Sequence, residues 1–222
     1  MSARLPLHQW LSEGVRAGFF LRPRIGGEQP APAQVAALLA IFAILEVGLA
    51  RFEVGGSASF DLHGWLAPWW STAALVLLAW WALPPRDSLD TPQGLNGVAA
   101  WFALWMGAVF PANLVSQLLG IAQAQELLPP SVGNSDWAAW LIYLALLAWT
   151  IAAGLRLAAR FGTQRRRLAL LALGLIALFA LSAWQFPERP WQSDDAGGGV
   201  TGERVRLAPG HFGMQQVFLK QE

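Results

Sequence analysis

Glu46 lies inside the apolar run "AIFAILEVGLARF", and Asn113, Ser116 and Gln117 follow Pro111 inside another, "VFPANLVSQLLG". Polar groups at membrane depth are costly, so they mark ion, proton or ligand sites by default. A carboxylate with amides and a hydroxyl could bind a coupling ion or a polar substrate. Each group also has a structural use. Glu46 sits about one turn before Arg51 and Phe52, close enough to reach the membrane interface or to pair with Arg51. Pro111 removes one helix hydrogen bond, and Asn113, Ser116 or Gln117 could donate to the freed carbonyl or to a neighbouring helix. A transport pathway would want polar partners on other helices, and the later apolar runs offer Tyr143, Thr150, Ser182 and Gln185.

Catalytic chemistry has little to work with. The 222-residue chain has no cysteine, which removes disulfides, thiolate metal sites and a cysteine nucleophile together. His8, His63 and His211 fall outside the apolar runs, and there is no intramembrane aspartate pair and no H-E-x-x-H. A hydrolase site needs a nucleophile and base, or two carboxylates, within reach of each other. The dipeptide His63-Gly64 in "FDLHGWL" sits in a loop expected to lack a sheet, and "DDAGGGVTGE" lacks the lysine of a phosphate loop. The expectation is no catalytic, cofactor-binding or metal-ligating residue.

The elements that must position the polar groups are apolar helices. The chain is 55% hydrophobic and 13% charged, with a mean hydropathy of +0.41, against about 25% charged in soluble domains. A helix needs about 20 apolar residues to cross a bilayer. Five windows qualify: residues 33–50, 65–83, 95–121, 137–157 and 168–186. Trp65, Trp69, Trp70, Trp80, Trp81, Trp137, Trp140 and Trp184 open or close these windows and read as interfacial anchors. The predicted fold is all-α, a polytopic transmembrane bundle of about five spans with an N-terminal interfacial helix and a short periplasmic tail.

Orientation follows from Arg placement. With the N-terminus inside, Arg4, Arg16, Arg22, Arg24, Arg86, Arg156, Arg160, Arg165, Arg166 and Arg167 are cytoplasmic, and Arg51 and Arg189 lie near the outer face. The positive-inside rule then places the N-terminus in the cytoplasm and the C-terminus in the periplasm. Arg accounts for 14 of the 15 basic residues, a bias of GC-rich bacterial genomes that points to a bacterial inner membrane. No cleavable signal peptide is expected, because the Arg-containing first thirty residues hold no continuous apolar stretch.

Residues 1–30 are expected to be a cytoplasmic segment in which Leu7, Trp10, Leu11, Val15 and Phe19 share a helical face. Such a helix would lie in the interface or pack under the bundle. Residues 31–187 form the bundle, residues 188–203 an acidic, Gly-rich linker, and residues 204–222 a tail resembling the start of a soluble domain. In that tail Leu207, Phe212, Met214, Phe218 and Leu219 make a short amphipathic pattern with too little apolar surface to fold alone. They are candidate docking residues.

The entry "GFFLRPRIGGEQPAPAQVAALLAIF", the Trp-rich second run, the segment "WQFPERPWQ" and the tail "RVRLAPGHFGMQQVFLKQE" together resemble one family. They are similar to the N-terminal membrane-anchor region of bacterial legumain-like cysteine peptidase family proteins. That family places a multi-span region before a linker and a periplasmic caspase-like domain. Its catalytic pair is a His followed by Gly and a downstream Cys. This chain has no Cys, so no catalytic residue carries over, and the catalytic domain is expected to be absent.

The resemblance implies a non-catalytic membrane module that anchors or docks a periplasmic domain or partner. It would be part of a peptidase if the native protein is longer. Its partners would be the lipid bilayer and a periplasmic protein or a missing C-terminal domain, with no nucleic acid. The alternatives are a small transporter or ion-coupled channel using Glu46, Asn113 and Gln117, or a Yip1-like five-span membrane scaffold.

Overall fold

The computed structural model describes residues 5–84, 97–128, 136–185 and 190–193. Leu207, Phe212, Met214, Phe218 and Leu219 lie outside the described residues, as does the segment expected to be a docking tail. The described chain is mostly helical, and three of its helices are long and apolar enough to cross a membrane.

Helix α1, Leu7–Gly18, starts after Pro6. Helix α2, Pro32–Arg51, opens on a proline whose missing N–H costs nothing at that position. There Gln34 reaches back, its Oε1 accepting from the Ala31 N–H at 2.9 Å. Its 20 residues span about 30 Å, the thickness of a hydrocarbon core. Strand β1, Ala58–Phe60, and the short helix α3, Leu62–Leu66, follow. Asp61 caps α3, its Oδ1 accepting from the His63 and Gly64 N–H groups at 3.0 and 3.1 Å.

Helix α4, Trp69–Ala82, begins after Pro68. The window expected to run unbroken over 65–83 is therefore two helices, and the 14 residues of α4 cover only about 21 Å. Helix α5, Val98–Ala124, carries Pro111 within it. Helices α6, Asp136–Arg160, and α7, Arg165–Gln185, complete the bundle, and strand β2 is Trp191–Ser193.

The first half of α5 is the core. Ala100, Trp101, Leu104 and Ala108 are buried, and α1, α2 and α6 pack around them. Helix α1 approaches most closely: a methyl on Gly107 would sit 2.8 Å from the Gly14 Cα. Small residues that let backbones meet are the usual glue between helices in lipid. Trp10 is fully buried there, and Trp149 of α6 donates from Nε1 to the Gly18 carbonyl at 2.7 Å. Arg160 donates to the Phe20 and Leu21 carbonyls. Glu13, 7% exposed, accepts from the Arg24 N–H at 2.8 Å and pairs with Arg16 at 3.3 Å. These are the contacts of a helix packed on the bundle rather than one lying free in an interface.

The two strands close the opposite end. They pair antiparallel, with Ala58 facing Ser193, Ser59 facing Gln192 and Phe60 facing Trp191. The loop holding His63-Gly64, expected to lack a sheet, thus carries one strand of a two-stranded sheet. The other strand comes from within residues 188–203, read as an acidic, Gly-rich linker. This pairing sets the end of α2, the start of α4 and the chain following α7 side by side. Gln125, just past α5, donates to the Phe52 carbonyl at 3.0 Å, so the end of α5 joins them.

Candidate functional site

Helix α2 presents Leu39, Phe42, Glu46 and Leu49 along one face, and α5 presents Phe102, Met106, Val109, Asn113, Ser116 and Gln117 along another. These spacings of three and four are the neighbours of a helix surface. Helix α4 packs on α7 and leaves a cleft between itself and α2, with α5 as its floor. The cleft has a volume of about 520 Å³, within the range of small-molecule sites. A smaller cavity of about 110 Å³, lined by Ser71, Thr72, Trp105 and Ser182 among others, adjoins it.

All four polar residues singled out in the sequence, Glu46, Asn113, Ser116 and Gln117, line this one cleft. None of their side chains forms a hydrogen bond or ion pair with another described residue. The pairing foreseen between Glu46 and Arg51 is not formed. Arg51 is not paired with Glu46: its guanidinium donates to the Val54 and Gly56 carbonyls, both at 2.7 Å, and lies 5.7 Å from the Trp191 ring centre. Asn113, Ser116 and Gln117 do not repair the gap left by Pro111.

The cleft is graded by depth. Glu46 is about 8 Å below Arg51 along α2, and Gln117 and Asn113 are about 10 and 16 Å below the end of α5. Deeper positions on the same faces are Leu39, Phe42, Phe102 and Met106. The polar groups therefore cluster toward the end closed by β1 and β2, and the apolar ones fill the rest.

That end has an aromatic roof. Trp65 and Trp69 stand edge to face at 5.4 Å, Phe60 lies 6.1 Å from Trp65, and Phe60 and Trp191 are 5.1 Å apart. Trp191 donates from Nε1 to the Val47 carbonyl at 2.9 Å, so β2 is tied to α2 next to Glu46. Asp61 Oδ2 accepts from Gln192 Nε2 at 2.9 Å, and the Asp61 N–H donates to the Pro190 carbonyl at 2.8 Å.

No protein-family model, curated protein or solved structure matches the chain. The site is read from its own geometry alone.

Several residues stand elsewhere than the sequence suggested. Trp65 and Trp69, read as interfacial anchors, line the cleft, whereas Trp80, Trp81, Trp137 and Trp140 are exposed on the bundle surface as anchors would be. The side chains of Trp184 and Gln185 lie outside the described residues. Thr150 turns back on its own helix, donating to the Leu146 carbonyl at 3.0 Å. The polar partners across the cleft come instead from Ser71 and Thr72 of α4, hidden in the sequence beside three tryptophans. Ser71 Oγ already donates to the Pro68 carbonyl at 2.7 Å. Among the described residues, no group of His, Asp and Glu side chains is placed to hold a metal ion.

Proposed function

We propose that the chain is a non-catalytic integral membrane module that holds the polypeptide following α7 in a fixed position for a periplasmic domain or partner. In this reading it crosses a bacterial inner membrane five times, with α1 cytoplasmic and β2 periplasmic. The observation that carries it is the lock at β2. A three-residue strand gains little by itself, yet Trp191–Ser193 is held by β1, by Asp61 and by the Val47 carbonyl. Such fastening makes a rigid exit point rather than a loose linker. The distribution of charge supports the orientation: of the described Lys and Arg residues, Arg51 alone belongs to the β1–β2 end. The other described arginines sit on α1, in the segment after it, on the last two turns of α6 and at the start of α7.

A second reading, a small transporter or ion-coupled channel, is favoured by the convergence of Glu46, Asn113 and Gln117 on one cleft. Complementation of cells lacking the chromosomal copy separates the two. Anchoring predicts that deletion of Thr201–Glu222 abolishes function while Glu46→Gln and Asn113→Leu retain it. The opposite pattern would overturn anchoring in favour of transport.

A further inference from the structure

The cleft combines one carboxylate with aromatic walls. Phe42, Trp65, Trp69, Trp105 and Phe110 line it together with Glu46, and among the described residues no Lys, Arg or His does. Aromatic faces attract cations, and quaternary ammonium groups are recognised by such cages. A carboxylate without a partner inside a largely apolar cleft stands to gain more from a counter-ion than one in water does. The neighbouring cation, Arg51, is fully engaged with Val54, Gly56 and Trp191. Among the described residues no cation is placed to meet Glu46.

The same walls select the kind of cation. Calcium takes six to eight oxygen ligands and magnesium an octahedral set, and the cleft offers one carboxylate among a few amides and hydroxyls. A small hydrated ion would lose its water and gain few ligands. A bulky cation with its charge spread under apolar groups loses little hydration and fills the aromatic volume.

We propose that this cleft binds lipophilic organic cations, with Glu46 as their counter-ion, the aromatic rings as their cage, and Asn113 and Gln117 available to any hydrogen-bonding group they carry. This site goes beyond the anchoring role and does not depend on it. Its readout is binding, so its failure leaves the complementation result untouched.

Tetraphenylphosphonium and tetraphenylborate share one shape and carry opposite charges, which makes them the probes. Isothermal titration calorimetry on the full chain in nanodiscs, with empty nanodiscs subtracted, should show saturable binding of the phosphonium and none of the borate. Glu46→Gln should weaken phosphonium binding by at least about tenfold, the scale of a lost charge-assisted contact. Glu46→Asp, which keeps the carboxylate, should retain more of the affinity than Glu46→Gln and serves if Glu46→Gln does not fold. Equal binding of both ions, phosphonium binding unaffected by Glu46→Gln, or no saturable binding above empty nanodiscs would each overturn the proposal. The last two results would leave the cleft to a lipid chain.

Discussion

Substituting Gly107 by alanine tests the contact on which the packing of α1 depends. The added Cβ would stand 2.8 Å from Gly14 Cα, 3.0 Å from Gly14 C and 3.2 Å from Val15 N. Carbon atoms prefer about 3.5–4.0 Å, so α1 must retreat by close to ~1 Å along its whole contact with α5. All three opposing atoms are backbone, and no rotamer change can relieve them. Overpacking of this kind costs about 1–3 kcal/mol. At ~2 kcal/mol the population in which α1 lifts from α5 should rise about 30-fold.

The lack of native cysteine makes the assay direct. Ala17, on α1, is 5% exposed, so Ala17→Cys should react slowly with a polar maleimide and faster by about 30-fold in the Gly107→Ala background. Exposed Gln164→Cys, in the turn between α6 and α7, serves as the control and should react at one rate in both. Gly14→Ala should act as Gly107→Ala does, because its Cβ would meet Gly107 Cα at 2.9 Å. A labelling ratio within about twofold of unity, the scatter expected of a surface change, would refute the claim that these two glycines set the approach of α1.

Two further outcomes follow from the geometry. Because Ser59 faces Gln192, a Ser59→Cys/Gln192→Cys pair has the Cα separation a disulfide accepts and should cross-link under mild oxidation; Phe60→Cys/Gln192→Cys, whose side chains leave opposite faces of the sheet, should not, and equal yields would contradict the register. Gly48→Ala and Gly18→Ala should shift the unfolding midpoint in opposite directions. A Cβ on Gly48 meets nothing within 4 Å, so Ala gains up to about 1 kcal/mol of helix propensity. A Cβ on Gly18 collides with the Ala108 carbonyl. A Gly18→Ala midpoint at or above that of the parent would show that α1 does not pack there.

The apolar windows were legible because a helix satisfies its own backbone, so an unbroken apolar run of sufficient length has few other forms at membrane depth. The four windows read at 33–50, 95–121, 137–157 and 168–186 differ from α2, α5, α6 and α7 by a few residues at each end. The second window misled because tryptophans on both sides of Pro68 looked like one continuous run. The strands were invisible: three residues carry no usable period, and their partners lie over a hundred positions apart. Gly48 shows the same limit within a helix. Like Gly107 it is a small residue in an apolar run, yet it faces open space, since which side of a helix meets a neighbour is decided by the whole bundle.

Glu46, Asn113, Ser116 and Gln117 were recognisable as expensive residues and could be named together as a transport alternative, but the cleft that gathers them was not legible. Their alignment depends on α2 and α5 being turned toward the same gap, and that gap exists because α4 packs on α7 and leaves α2 uncovered on that side. The roof that closes it is built by the residues that fasten β2. Trp191 bonds to the Val47 carbonyl, one position from Glu46, and its ring meets Phe60 edge to face and lies within reach of Arg51. Trp191 thus ties β2 to α2 beside the polar end of the cleft, where Pro190 is one of the lining residues.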